Sequence, residues 1–132
     1  MNAEASSAPS SPRTVLVVED EGPIRTIITL ALEAKGYRLL VAADGAEGIQ
    51  RAQQHAGPID LVITDVLLPG ISGSDVVREL LKSRPDLHVI YLSGYLGNEH
   101  ELPAGQTGKM GFLSKPFTPR QLLEAVAAVF AT

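Results

Sequence analysis

Val15, Leu16, Val17 and Val18 form a short apolar run, and Glu19, Asp20 and Glu21 follow it without a break. Two carboxylates about 4 Å apart repel by roughly 4 kcal/mol at an effective dielectric near 20, so three in a row call for a counter-charge. A cation supplies one. Further along, "DLVITD" ends on Asp65, "VIYLS" ends on Ser93, and "GFLSKP" carries Lys115 before Pro116. Carboxylates, a hydroxyl and one amine placed after separate apolar runs suit phosphoryl transfer to a carboxylate. Magnesium takes oxygen ligands, usually one or two carboxylates with waters and phosphate oxygens, so Asp20 and Asp65 are candidate direct ligands and Glu19 one that reaches through water. Asp65 is then the candidate nucleophile, Lys115 the charge that neutralises the transferring oxygens, and Ser93 a donor to the bound phosphoryl group. In "DVLLPGISG", Pro69, Gly70 and Gly73 predict a tight turn that lets the backbone carbonyl of Leu67 approach a metal. Singly, each residue has a plainer explanation: acids cap helices, an Asp after a strand starts a turn, Ser bonds local backbone, and Lys is solvated. Only their combination argues for a site.

These residues need elements that bring them to one place. From Thr14 onward, short β-branched runs alternate with longer stretches at helical spacing. Strands are predicted over 14–18, 38–42, 59–64, 87–92 and 110–113. The first helix opens with Pro23, where a missing N–H is tolerated, turns Ile24, Ile27, Ile28 and Ala31 to one face, and stops before Gly36. A second runs from about Asp44 to Gln54 behind an Asp cap, and a third from Ser74 to Ser83 with Val76, Val77, Leu80 and Leu81 facing inward. The last is announced by Thr118, Pro119 and Gln121, a capping box with Pro in its first turn, and places Leu122, Val126, Val129 and Phe130 on one face. Between 97 and 109, Gly97, Pro103, Gly105 and Gly108 break any long helix, so one short helix and a mobile loop are expected. Strand–helix alternation implies a parallel sheet with helices on both faces, because parallel strands require right-handed crossovers. Ligands in such folds collect at the carboxyl ends of the strands, where the acids, Ser93 and Lys115 stand. Lys115 precedes a proline, which biases it toward extended backbone and leaves room for a cis bond.

Bulk properties narrow the field. The chain of 132 residues has the size of one domain and can bury about 68 per cent of its unfolded surface. Residues 1–13, "MNAEASSAPSSPR", have no apolar period and are expected to be a disordered tail, leaving 14–132 as the domain. A net charge of −4 offers no basic stripe, so nucleic acid is not an expected direct partner. There is no cysteine, hence no disulfide or thiolate metal site. With no membrane-length apolar run and no secretion signal, the expected location is the cytoplasm. His55, His88 and His100 show no metal-ligand spacing and are expected at the surface or hydrogen-bonded.

The motifs "VLVVEDE", "DLVITDVLLPGISG", "VIYLSGY" and "GFLSKPF", in this order and spacing, resemble the receiver domains of two-component response regulators. The likeness covers about residues 13–131. It implies a flavodoxin-like, doubly wound (βα)5 sheet of strand order 2-1-3-4-5. It also implies that Asp65 accepts phosphate from a phosphohistidine on a sensor histidine kinase or a histidine phosphotransfer protein, making the chain a signalling phosphoacceptor and not an enzyme in its own right. By the same likeness, Glu19, Asp20, Asp65 and the Leu67 carbonyl hold Mg²⁺, while Ser93 and Lys115 contact the phosphoryl group. Ser93 and Phe112 fall on the family's switch positions. Ser93 keeps the hydroxyl, whereas Phe112 lacks the phenol that a tyrosine would offer and reads equally as core. Leu67 and Tyr95 border the path of attacking water, and their bulk predicts slow loss of the phosphoryl group.

Phosphorylation is expected to draw Ser93 inward, repack 93–109 and Phe112, and alter the surface of the fourth helix, fifth strand and fifth helix. A monomer is expected, with that surface as the route to a dimer. Other classes fit less well. A flavodoxin needs a phosphate-cradling loop after its first strand, where the acids at 19–21 repel phosphate. A Toprim-like domain wants Asp-x-Asp, and "TDVLL" has one acid; a hydrolase wants G-x-S-x-G, and Ser93 lies in "LSGY". The remaining alternative is a receiver fold used as a phosphorylation-independent docking module. "VIYLSGY" and "KPFTPRQLLEAV" are similar to receivers at the C-terminal end of hybrid sensor kinases, so both a free-standing receiver and one cut from a longer protein are expected origins.

Overall fold

The structure is a computed structural model, and it describes residues 12–94 and 110–131. In chain order the elements are β1 (Thr14–Val18), α1 (Gly22–Ala34), β2 (Arg38–Ala42), α2 (Gly45–Gln54), β3 (Leu61–Asp65), α3 (Gly73–Ser83), β4 (His88–Ser93), β5 (Met110–Ser114) and α4 (Pro119–Phe130). The five strands form one parallel sheet ordered β2-β1-β3-β4-β5, the doubly wound arrangement expected from the alternation. The short helix and loop expected within 97–109, and Tyr95, lie outside the described residues.

Side-chain alternation divides the core into two layers. Val15, Val17, Leu61, Ile63, Ile90 and Leu92 pack beneath α1 and α4, through Ile28, Leu32, Leu122, Val126 and Val129. Leu16, Val18, Val62, Val89 and Tyr91 pack on the other face against Ala52 of α2 and Val76, Val77 and Leu80 of α3. Both faces of the central strands are buried, which is why β1 and β3 read as continuous apolar runs.

Local signals set most helix starts. The Asp44 carboxylate accepts from the Glu47 N–H at 2.8 Å, and the Ser72 hydroxyl accepts from the Asp75 N–H at 3.1 Å. At α4 both halves of the capping box are present, Thr118 accepting from Gln121 N–H at 3.0 Å and Gln121 accepting from Thr118 N–H at 2.9 Å. The far end of α2 is held from a distance: the Arg84 guanidinium donates to the carbonyls of Ala52, His55 and Gly57.

Four expectations require correction. Ile27 does not face the core but is 42% exposed, because the buried stripe of α1 runs through Ile28 and Leu32 with Ile24 and Ala31 beside it. β3 begins at Leu61, two residues later than its apolar pattern suggests. Asp60 ahead of it is tied to β1 and β4, accepting from the Thr14 N–H through its carboxylate and from the His88 N–H through its carbonyl. Phe112 is not core: it stands on β5, the edge strand, 45% exposed among the described residues, with its ring stacked at 6.1 Å on that of the buried Tyr91. Gly70 has a positive φ of 79° and makes the turn, but Gly73 has no such conformation and serves close packing instead.

Candidate functional site

Strand register carries the distant motifs to one rim. Val18 pairs with Thr64, and Asp65 pairs with Leu92, so Glu19 leaves β1 beside Asp65. Ser93 pairs with Ser114, so Lys115 emerges one residue beyond, its N–H donating to the Ser93 carbonyl at 2.9 Å. Alternation then decides the face. Glu19, Asp65 and Lys115 continue the parity of Val17, Ile63 and Leu113, which belong to the layer under α1 and α4. All three side chains meet there.

Lys115 Nζ lies 2.7 Å from Asp65 Oδ1 and 3.1 Å from Glu19 Oε1, with Glu21 at 3.9 Å on the outer side. Glu19 is fully buried and Asp65 is 4% exposed. The Glu19 carboxylate is oriented by the Glu21 N–H, which donates to Oε2 at 3.0 Å. Two oxygens in this buried group are left short of donors: Asp65 Oδ2 accepts no hydrogen bond, and Glu19 Oε1 has only its ion pair with Lys115. Buried carboxylate oxygens short of donors are costly, and they mark where a further positive group fits. Carboxylate oxygens of Glu19, Asp20 and Glu21 also lie within 4.8 Å of one another, with Asp20 and Glu21 exposed toward solvent.

The electrostatics follow from burial. The Asp65 carboxyl is raised to about 8 in all: loss of water pushes it up most, the Lys115 ammonium pulls it back, and the Glu19 carboxylate beside it adds to the rise. Burial by itself would lower the Lys115 pKa, but its contacts with Asp65 and Glu19 outweigh that and raise it. Beside the ammonium opens a cavity of about 240 Å³ lined by Glu21, Ile24, Gly94, Lys115 and Pro116. The Lys115–Pro116 bond is cis.

Ser93 is buried at the end of β4, but its parity follows Tyr91 on the opposite face, and among the described residues its hydroxyl makes no hydrogen bond to Asp65 or Lys115. Leu67 lies just past β3 with its side chain 50% exposed. Two residues escaped the sequence reading. Gly73 is one: a Cβ there would stand 1.8 Å from the Asp65 carbonyl oxygen, so its hydrogen lets α3 start against the end of β3. Its spacing in "PGISG" suggested only a turn. Arg25 is the other: its Nη1 donates to the Glu19 carbonyl at 2.7 Å, and one basic residue in an amphipathic helix gives no signal in sequence.

A family model described as the response regulator receiver domain matches residues 15–127. The chain belongs to this family. The receiver is 38% identical over 117 residues to the sensor kinase CckA of Brucella abortus, a match covering 89% of this chain and 12% of that protein. It is 35% identical over 123 residues to the phosphate regulon transcriptional regulatory protein PhoB of Pseudomonas aeruginosa, covering 89% of this chain and 51% of the other. The receiver thus spans about half the length of that regulator and a smaller part of the kinase. A crystal structure of the receiver domain from hybrid histidine kinase CckA superposes with a TM-score of 0.73 at 34% identity, over 88% of this chain and 97% of that one. The receiver is a signalling module of the two-component type. Among its described residues, no helix is long and apolar enough to cross a membrane.

Proposed function

We propose that the receiver accepts a phosphoryl group on Asp65 from a phosphohistidine of a sensor histidine kinase or a histidine phosphotransfer protein, in the cytoplasm. A carboxylate oxygen of Asp65 attacks phosphorus, the P–N bond breaks, and the electron pair returns to the imidazole, which takes up a proton; the product is an acyl phosphate. One observation carries this reading: the Asp65 carboxylate is buried yet held 2.7 Å from the Lys115 ammonium, with Glu19 on the same ammonium. Lys115 is placed to follow the charge from the carboxylate onto the phosphoryl oxygens.

Asp65 Oδ2, which has no partner, and Glu19 Oε1, met only by the Lys115 ammonium, fit a hard divalent cation, and we assign Glu19, Asp20, Asp65 and the Leu67 carbonyl to hold Mg²⁺. When bound, that ion favours the ionised form of Asp65 and offsets charge on the transferred group. The test is covalent labelling. With acetyl phosphate and Mg²⁺, intact-mass measurement is expected to show one added phosphoryl group on the wild type, none on Asp65→Asn, and none on the wild type with EDTA. Equal labelling of Asp65→Asn would overturn the assignment. No labelling of a folded wild type would favour a docking module that works without phosphate.

The signal is proposed to leave through Ser93 and Phe112. Ser93 ends the strand next to Asp65, and Phe112 is a half-exposed ring resting on Tyr91, so a pull on the end of β4 reaches the surface of β5. Beryllofluoride, a phosphoryl mimic, is expected to shift the amide resonances of Ser93 and Phe112. Unchanged resonances at both, in a protein whose Asp65 amide has shifted, would rule this route out.

A further inference from the structure

We infer that Arg25 is a positioning residue for the acidic loop of this site, a role that rests on the proposed cation-dependent reaction. Arg25 lies in α1 just past the three acids, and its Nη1–H donates to the main-chain carbonyl of Glu19 at 2.7 Å, the short end of the range for such bonds. Three carboxylates stand next to it in sequence, within 4.8 Å of one another. Yet among the described residues Arg25 forms an ion pair with none of them. Its charge rests on a peptide oxygen, and what it holds is the peptide plane joining Glu19 to Asp20.

That plane sets where two candidate ligands point. The loop enters through the Glu19 N–H, bonded to the Ala42 carbonyl at 3.1 Å, and leaves through the Glu21 carbonyl, which accepts from the Arg25 N–H at 2.9 Å. Between these anchors, the Glu21 N–H fixes the Glu19 carboxylate and the Arg25 guanidinium fixes the Glu19 carbonyl. Without the guanidinium, the carbonyl dipole stands unopposed among three carboxylates, and rotating the plane to relieve that repulsion swings Asp20 out of place. A guanidinium that holds ligand-bearing backbone raises affinity by preorganisation, even though its own charge opposes a cation.

The two effects have opposite signs, which makes the inference testable. If Arg25 acted only through its charge, Arg25→Met would bind Mg²⁺ more tightly than the wild type. Positioning predicts the reverse: binding weaker by about tenfold, the lower end of what losing a ligand-orienting group costs, with the melting temperature little changed. Arg25→Lys keeps a charged donor on a long stem and is expected to restore most of the affinity. The measurement is a Mg²⁺ titration of the three proteins, followed by the amide resonances of Glu19, Asp20 and Glu21. Alongside it, the half-saturating Mg²⁺ for acetyl phosphate labelling is expected to rise in Arg25→Met by the same factor, while the rate at saturating Mg²⁺ changes less. Failure of the wild type to bind Mg²⁺ would sink the proposed function. A wild type that binds, with Arg25→Met binding equally or more tightly, would sink the role of Arg25 alone.

Discussion

Lys115→Met is expected to destabilise the receiver by about 3–5 kcal/mol near pH 9.5 in the absence of divalent ions, and by much less near pH 5.5, where Asp65 is protonated in both folded proteins. The lysine side chain is 13% exposed and is the ammonium on which both Asp65 and Glu19 converge. Removing one partner of a buried ion pair leaves charge with neither water nor counter-ion, which costs more than the pair itself contributes. The pH dependence has a definite sign. Asp65 is an acid whose folded pKa, about 8, lies above its ordinary 3.8, so its contribution to stability is full below about 4 and is lost as pH rises toward 8. The wild type without Mg²⁺ therefore loses stability across that window. Losing the ammonium removes a pull that holds the Asp65 pKa down, so above about pH 8, where the wild-type decline ends, the variant goes on losing stability and the gap between the two proteins widens. Urea denaturation at the two pH values measures the gap, and Mg²⁺ is expected to recover part of it. An equal loss at both would mean that Lys115 serves packing and not the buried carboxylates.

Gly73→Ala is expected to slow acetyl phosphate labelling by about 100-fold, the scale on which a displacement of about 1 Å affects a positioned reaction. The added methyl would meet the Asp65 carbonyl oxygen at 1.8 Å, the Asp65 carbonyl carbon at 2.8 Å and the Val66 carbonyl oxygen at 3.1 Å. All three are main-chain atoms, so no rotamer change relieves the clash. Either the start of α3 lifts away, losing the bond from the Gly73 N–H to the Val66 carbonyl at 2.9 Å, or the end of β3 moves and takes Asp65 with it. Overpacking of this kind costs about 1–3 kcal/mol in stability as well. Gly70→Ala is the control. Its φ of 79° strains an alanine, but nothing lies within 4 Å of the new Cβ, so a loss of about 1–2 kcal/mol with near-normal labelling is expected. Normal labelling by Gly73→Ala would show that the loop yields without moving Asp65.

Much of this protein was legible along the chain because the deciding interactions are short in sequence. The caps at Asp44 and Thr118 bond to groups three residues away, and the β-branched runs fall on the observed strands within two residues. Glu19, Asp20, Asp65, Ser93 and Lys115 stand at strand ends in a parallel sheet, and that placement needs only the alternation of elements. The inward face of α1 was harder to read. Ile27 and Ile28 are equally apolar neighbours, and only the seating of α1 on β1 and α4 leaves one exposed and the other buried. Phe112 has the composition of a core residue and lies half in the open because β5 is the edge of the sheet.

Residue types and their order determined the sheet, its winding and the set of acids, because hydrophobic period and capping chemistry act over a few residues. Tertiary structure alone decided that Lys115 reaches Glu19 across 96 positions, that Ser93 points to the other face from Asp65, and that Gly73 and Arg25 hold the two loops of the site. Those outcomes depend on strand register and on close approach of main-chain atoms, and neither is written in any one segment of the chain.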